Sequence, residues 1–518
     1  MTILFVVILA SYAAGILLPP FLRQRPKLQA LIAHSAAMVA GGTGVFLGVL
    51  TMLSEQPWAA SFPSTLPFLS FAVRMDPLSA FFVLIISLIG MIVSVYSFGY
   101  LTEYFGRASI GALGSLYNGF LACMTLVVMA DNAFFFLLAW EGMSLLSYFL
   151  VMTEHEKPDV RYAGLFYLIM THVGTAFVVL TFLVFFNETH SFSFDAFRSA
   201  GAGLTDIAKT VAFFTALIGF GAKAGIVPLH VWLPYAHPAA PSHISAVMSG
   251  VMIKTAIYGL IRVYFDFFGG QFPWWWGVAV LVVGGVSALL GVLYALMEHD
   301  IKRLLAFHSV ENIGIILLGL GAGMIFQSYG LHALAALGLL AASYHTLNHA
   351  VFKALLFLGA GAVVYATHTR NIEEHGGLLR RMPWTGVFFL IGAVSISALP
   401  PTNGFVSEWL VFQTLFLSFH LPVVLFKLLL PIAAAVLALT GMLALVCFAK
   451  AFGLSFLALP RSSSARDAKE VPVSMRWAMG ALACCCVILG VAPMLVVPLG
   501  QFFVPVVQGT LLVPEVTS

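Results

Sequence analysis

Fourteen stretches of about twenty apolar residues run through this sequence, and a run of that length crosses a bilayer only as a helix that closes its own backbone hydrogen bonds. They fall near residues 2–20, 30–53, 77–100, 113–130, 133–152, 162–186, 208–227, 244–265, 275–297, 304–325, 331–365, 385–410, 422–449 and 477–500. The apolar residues are consecutive rather than alternating, which excludes a transmembrane β-barrel. With 61% hydrophobic and 9% charged residues in 518, and a mean hydropathy of +1.01, no polar stretch is left for a second soluble domain. The expected fold class is an all-α polytopic membrane protein of about 14 transmembrane helices, with the lipid bilayer as its medium. A net charge of +3, thinly spread, excludes a nucleic-acid partner.

Charge also orients the chain. Of 24 Lys and Arg residues, sixteen fall in the loops on one side, among them Arg23, Lys157, Lys302, Arg380 and Arg461, and four (Arg74, Arg198, Lys209, Arg262) fall on the other. The positive-inside rule therefore places both termini away from the cytoplasm, in a multi-pass protein of the inner (cytoplasmic) membrane. The first span has no basic residues ahead of it, so it reads as an uncleaved helix rather than a signal peptide. Cys123, Cys447 and Cys484–Cys486 lack the paired spacing of zinc or iron–sulfur ligands and read as packing residues.

The four basic residues left over, Lys223, Lys254, Lys353 and Lys427, lie within apolar spans, as do Glu141 and Glu408. An ion near a helix centre costs roughly 2.5–3.5 kcal/mol on insertion, so such residues point to function. Lys427, beside Pro422 at the membrane surface, reads instead as a snorkelling side chain. Burial weakens the hold of a lysine on its proton, and a nearby carboxylate restores it. At an effective dielectric of about 20, charges ~6 Å apart interact by about 3 kcal/mol, enough to gate a proton relay. Glu141 and Lys223 are the candidate pair. His345, His349 and Lys353, spaced i, i+4, i+8, stack proton-competent groups on one helix face. His230, His237 and His243 follow Lys223 and are secondary candidates. Haem would draw its histidines from facing helices, and no strand–GxGxxG–helix pattern offers a dinucleotide site.

Two spans are interrupted by proline: the seventh at GIVPLHVWLPYAHPAAP and the twelfth at SALPPTNG. Broken backbone at membrane depth is tolerated against protein or internal water, so both breaks should line a hydrated cavity. Pro228 and Pro400 lie 172 residues apart, Glu141 and Glu311 170, and Lys254 and Lys427 173. The common offset implies a five-helix unit used twice, over 113–267 and 274–450, with the second copy inverted because five is odd. Residues 1–112 then hold helices 1–3, and 451–518 a basic loop and helix 14.

The segments WEGMSLLSY, GFGAKAGIVPLHVWLPYAHPAAPS, VMIKTAIYGLIR, HDIKRLLAFHSVENIGIILLG, LNHAVFKALLFLGAGAV, GGLLRRMP and SALPPTNGFVSEW carry a resemblance that covers nearly the whole chain. It resembles the antiporter-like proton-translocating subunits of complex I, multisubunit cation/proton antiporters and membrane-bound energy-converting hydrogenases. It looks most like the branch holding hydrogenase-4 component B and the formate hydrogenlyase membrane subunit. The resemblance implies that Glu141 partners Lys223, that Lys254 and Lys353 form a central polar axis with His345 and His349, and that Glu408 takes the twelfth-helix position where some relatives have lysine. Glu311 falls in the hydrogenase-like signature and is a further secondary candidate, with helix-end or loop anchoring at least as much expected of it as proton transfer. Some relatives continue into a long lateral helix, and no such arm is expected here, where the chain reaches Ser518 soon after its last span.

The expected function is ion (proton) translocation as a membrane subunit of a redox complex. The chain itself is expected to hold no cofactor, nickel–iron and iron–sulfur centres belonging to other membrane and peripheral subunits. The principal alternative is a subunit of a multisubunit Na⁺(K⁺)/H⁺ antiporter. A scaffold with purely structural charges and an independent metabolite carrier are the other rivals.

Overall fold

The computed structural model describes residues 1–22, 24–54, 57–62 and 70–495 of the chain. Arg23 and the final residues of the expected fourteenth helix and C-terminal segment lie outside the described residues. Among the described residues, thirteen helices are long and apolar enough to cross a membrane: Thr2–Phe21, Pro26–Ser54, Pro77–Tyr104, Ile110–Met129, Ala133–Glu154, Pro158–Thr189, Asp206–Ala239, Ser242–Phe267, Trp274–Met297, Ile301–Ser328, His332–Thr367, Val424–Phe456 and Val473–Val491. The twelfth position is filled by two half-helices, Pro383–Ile396 and Asn403–Phe416, so Val424–Phe456 is the thirteenth span and Val473–Val491 the fourteenth. Local chemistry starts several of them. The Asp76 side chain accepts from the Ser79 amide, Asn132 from those of Phe134 and Phe135, and Asp300 from those of Lys302 and Arg303, each satisfying orphan donors of a first turn.

Burial sorts the bundle into a centre and a rim. Every residue in the most apolar window of the eighth and tenth spans is buried, and the eleventh is close to that, whereas the first, sixth, thirteenth and fourteenth are largely open. A helix surrounded by protein on all sides can carry polar groups that a lipid-facing helix cannot. Lys254, Glu311, His345, His349 and Lys353 all sit on these central helices.

Both expected breaks are present. The first half of the seventh span ends at Ala224, capped by Gly225 at φ 82°, a left-handed conformation that suits glycine. The chain resumes as a 3₁₀ turn, Leu229–Trp232, and a short helix, Leu233–Ala239. The Val227 amide donates to Ser287 Oγ at 3.0 Å, and Trp232 Nε1 donates to the Ala222 carbonyl at 2.8 Å, so side chains replace the bonds lost at the break. In the twelfth span, a Cβ on Gly404 would come within 1.8 Å of the Ser395 carbonyl oxygen. That position therefore admits no side chain.

An antiparallel hairpin of Trp58–Phe62 with Phe71–Met75 and the helix Phe194–Gly201 were not expected from the sequence. Both lie at one end of the bundle, fastened by a charge network. Arg74 Nη1 and Arg198 Nη1 each meet Asp195 Oδ1 at 2.7 Å, and Arg198 also reaches Asp131 at 3.2 Å and Asp266 at 2.9 Å. Arg262 joins Asp266 at 2.9 Å to Asp76 at 2.5 Å. Arg74, Arg198 and Arg262, read from sequence as loop charges, are thus members of one largely buried cluster. Burial pushes the Asp76 carboxyl up, but Arg262 outweighs it and holds the group below its usual range. Its stabilisation is complete above the ordinary carboxyl value of 3.8 and is lost as the pH falls below that, through the depressed folded value. Asp76→Asn leaves half of a buried pair and is expected to cost about 3 kcal/mol, read as a lowered thermal unfolding midpoint in detergent at neutral pH. A midpoint equal to the parent's would contradict it.

Candidate functional site: a buried polar axis

Lys223 is the penultimate residue of the first half of the seventh span, where the negative end of the helix dipole favours a cation. Its Nζ donates to Ser144 Oγ at 2.9 Å and to Tyr167 OH at 3.0 Å. It also lies over the Trp140 and Tyr167 rings. The expected Glu141–Lys223 pair is not a direct ion pair. Glu141 stands one turn before Ser144 on the fifth span, with its side chain 29% exposed on the flank, and its Oε2 lies 3.3 Å from Nε2 of His172 on the sixth. The two groups interact at longer range, the Glu141 charge being felt at Lys223.

Lys254 follows a π-helical turn, Met248–Met252, inside the eighth span. Such a turn releases carbonyls from the usual i→i−4 ladder, and Lys254 Nζ donates to the one on Ser249. Ser249 Oγ meets Ser309 Oγ at 2.8 Å, and Ser309 Oγ donates to the Leu305 carbonyl at 3.2 Å. That same carbonyl accepts from Lys353 Nζ. Two buried lysines are therefore joined by two serines across three helices. On the other side, Tyr167 OH lies 3.5 Å from Met252 Sδ in the π turn, which brings the Lys223 group next to the Lys254 group.

Beyond Lys353 the acidic groups take over. Glu311 is buried in the middle of the tenth helix, paired with His308 Nδ1 and 3.4 Å from Asn312 Nδ2, and it interacts electrostatically with both Lys353 and Glu408. Of the two roles left open by the sequence, a helix end or loop is not where Glu311 lies. A Cβ on Gly291 would lie 2.6 Å from the Glu311 amide nitrogen, so the ninth helix closes directly over it. His345 bonds Asn312 Oδ1 through Nε2 at 3.1 Å and Ser407 Oγ through Nδ1 at 3.0 Å, reaching the second half of the broken twelfth span. Its ring stacks 6.4 Å from that of His349, whose nitrogens have no protein partner. Glu408, next to Ser407, is 5% exposed and borders a crevice of about 390 Å³ with Phe405, Trp409, Phe412 and Phe416.

His237 and His243 are fully buried beside the seventh-span break, and His230 is partly exposed against Tyr294 and Phe307. Lys302, read from sequence as a loop residue, is 4% exposed and donates to the carbonyls of Pro238 and Ala240 in that break. Lys427 is exposed in the first turn of the thirteenth span. Its numerical match to Lys254 is therefore not a match of environment. Ser144, Tyr167, His172, Ser249, Lys302, Ser309, Asn312 and Ser407 were not singled out by sequence, because a hydroxyl, an amide or a lone loop charge carries no signal until helices are placed side by side. The cysteines are free, and among the described residues no three His, Cys, Asp or Glu side chains converge as a metal site needs.

A polytopic bundle with broken helices and an interior row of lysines, histidines and carboxylates defines an antiporter-like membrane subunit. The chain belongs to the transmembrane family described as NADH:quinone oxidoreductase/Mrp antiporter, which matches residues 130–433, while residues 66–108 match the complex I chain 5 N-terminus. It is 45% identical over 475 residues to hydrogenase-4 component B of Escherichia coli (strain K12), covering 91% of this chain and 70% of that protein. It is 36% identical over 482 residues to formate hydrogenlyase subunit 3 of the same strain, covering 92% and 76%. Its fold matches a chain in the Mrp complex structure from Dietzia sp. DQ12-45-1b with a TM-score of 0.83, at 22% identity and 98% coverage of both chains. The resemblance carried by the sequence motifs is thereby established.

Proposed function

We propose that this chain is the proton-translocating membrane subunit of an energy-converting redox complex of the hydrogenase-4, formate hydrogenlyase or complex I type. The observation that carries the reading is the row of buried ionisable groups Lys223, Lys254, Lys353 and Glu311, whose two central lysines are held close across three helices by contacts through Ser249, Ser309 and the Leu305 carbonyl. A change of charge at Glu141 alters the stability of a proton on Lys223, whose field acts in turn on Lys254. The proton then passes by way of Lys353, Glu311, His345 and His349 to Glu408. His230, His237 and His243, with Lys302 beside them, lie where the broken seventh span can supply protons from its own side. The unpartnered ring nitrogens of His237, His243 and His349 are acceptors and donors for water along that route.

The same reading assigns residues 113–267 and 274–450 to two inverted five-helix units, with 1–112 and 451–518 flanking them. In support, Glu141 and Glu311 occupy corresponding offsets and each has a histidine partner, His172 and His308. The asymmetry of basic loops supports an inner-membrane location with both termini on the non-cytoplasmic side. Nickel–iron and iron–sulfur centres belong, on this reading, to partner subunits, both membrane and peripheral. The names of the relatives, hydrogenase-4 component B and formate hydrogenlyase subunit 3, support that assignment. The family description also includes Mrp antiporters, so a cation/proton antiporter subunit is the second reading.

Gentle solubilisation of native membrane, isolation through a tag on this chain and mass spectrometry of its stoichiometric partners separate the two. A nickel–iron large subunit with iron–sulfur proteins is the expected recovery. Small membrane subunits alone, with sodium-dependent transport and no redox driver, would establish the antiporter instead.

A further inference from the structure

His172 was passed over in the sequence because it stands alone on a lipid-facing stretch of the sixth span. Its two ring nitrogens are committed differently. Nδ1 lies 2.9 Å from the Leu168 carbonyl oxygen, which has lone pairs and no proton, so Nδ1 carries the hydrogen. Nε2 is then either bare or, in the imidazolium, protonated, and the atom it faces at 3.3 Å is Glu141 Oε2. A bare nitrogen facing an ionised carboxylate would set lone pair against lone pair, and two protons would set hydrogen against hydrogen. At this ion-pair distance the approach is favourable when the two atoms hold one proton between them.

We propose that His172 and Glu141 share that proton, and that its position sets the charge facing Lys223. This rests on the reading of the chain as a proton-translocating subunit. In one state the proton is on Glu141 and the pair is neutral. In the other the carboxyl O–H bond breaks, an N–H bond forms at Nε2, and the pair is a carboxylate beside an imidazolium. The total charge of the pair is zero in both, but Glu141 changes from neutral to anionic, and Lys223 feels that charge. The outcome depends on what covers the pair. His172 is 48% and Glu141 29% exposed, on a face otherwise made of exposed Leu138, Leu145, Leu165, Ile169 and Val173. Hydrocarbon favours the neutral state, since it solvates neither ion, whereas a polar group from a neighbouring chain favours the charge-separated one. The second Glu141 oxygen, buried and without a protein partner, adds to the difference.

The test uses the intact complex in liposomes, comparing wild type with Glu141→Gln, His172→Gln and His172→Phe. Glutamine can donate to the carboxylate in place of the ring but cannot hold the proton. Both His172 variants are expected to assemble and to lose translocation to the level of Glu141→Gln. Infrared difference spectra provide a second readout that needs no transport: the protonated-carboxyl band assigned by Glu141→Gln should change in His172→Gln. Wild-type translocation in His172→Gln, or a Glu141 carboxyl band unaltered by that substitution, would overturn the proposal. A wild-type complex that moves no protons during redox turnover would overturn the underlying function instead, and the infrared result would still decide proton sharing.

Discussion

Replacing Lys223 with methionine is expected to abolish proton translocation while leaving the assembled complex intact. The separation of the two effects follows from the bonding around Nζ. Methionine has nearly the length of the lysine stem and no charge. The two acceptors it would abandon keep other partners: Ser144 Oγ already donates to the Trp140 carbonyl, and Tyr167 OH lies 2.6 Å from Ser147 Oγ. No buried polar atom is stranded, so the stability penalty is small compared with that of Asp76→Asn. What disappears is the cation between Glu141 and the π turn of the eighth span. Redox-driven acidification of liposomes, normalised to recovered complex, is the measurement. Full acidification would remove Lys223 from the route, and loss of assembly would assign its charge to structure alone.

Glu408→Gln is expected to have a comparable effect at the other end of the axis. Among the described residues Glu408 forms no ion pair, so the amide replaces the carboxyl without leaving a buried countercharge. Its neighbour Ser407 keeps its bond to His345. The loss is specific to proton acceptance, because glutamine matches the carboxyl in shape and hydrogen bonding but does not titrate. Protons delivered as far as Lys353 and Glu311 then have no exit, and turnover-dependent acidification should fall to background with normal subunit recovery. If Glu408→Gln pumps as the parent does, the terminal site lies elsewhere, and Glu311 becomes the group to replace next.

Both substitutions concern residues that the sequence isolates without help from the fold, since a charge inside an apolar run is visible in one dimension. The membrane architecture is legible for the same reason: a hydrocarbon medium leaves long apolar helices as the answer, and prolines at 228, 234, 400 and 401 mark where two of them break. What escapes is everything set by one helix lying against another. The sequence offers Glu141 and Lys223 as a pair but not their immediate partners, because Tyr167 beside Lys223 and His172 beside Glu141 come from the sixth span. The Ser249–Ser309 contact joins residues 60 apart, and serine in a helix ordinarily bonds its own backbone. The hairpin escaped because its strands are five residues each, too short to establish an alternating pattern. Its Arg74 and the partners of that residue, Asp131 and Asp195, are ordinary loop residues until the chain folds.

The charge cluster at the end of the eighth span has a mechanical consequence. Arg262 is held by Asp76 and Ser79 at the start of the third span, and Asp266, one turn further along its own helix, is held by Arg198; Arg262 lies eight residues, about 12 Å along the axis, beyond Lys254. A helix riveted so firmly at one end cannot slide like a piston without tearing several charged contacts. The compliant element is the π turn at Met248–Met252 on the near side of Lys254, where one hydrogen-bond register can give way to another at little expense. Lys254 is thereby mounted on a torsion spring: its ammonium can swing about a pinned axis while the end of the helix, and the surface elements tied to it, stay still.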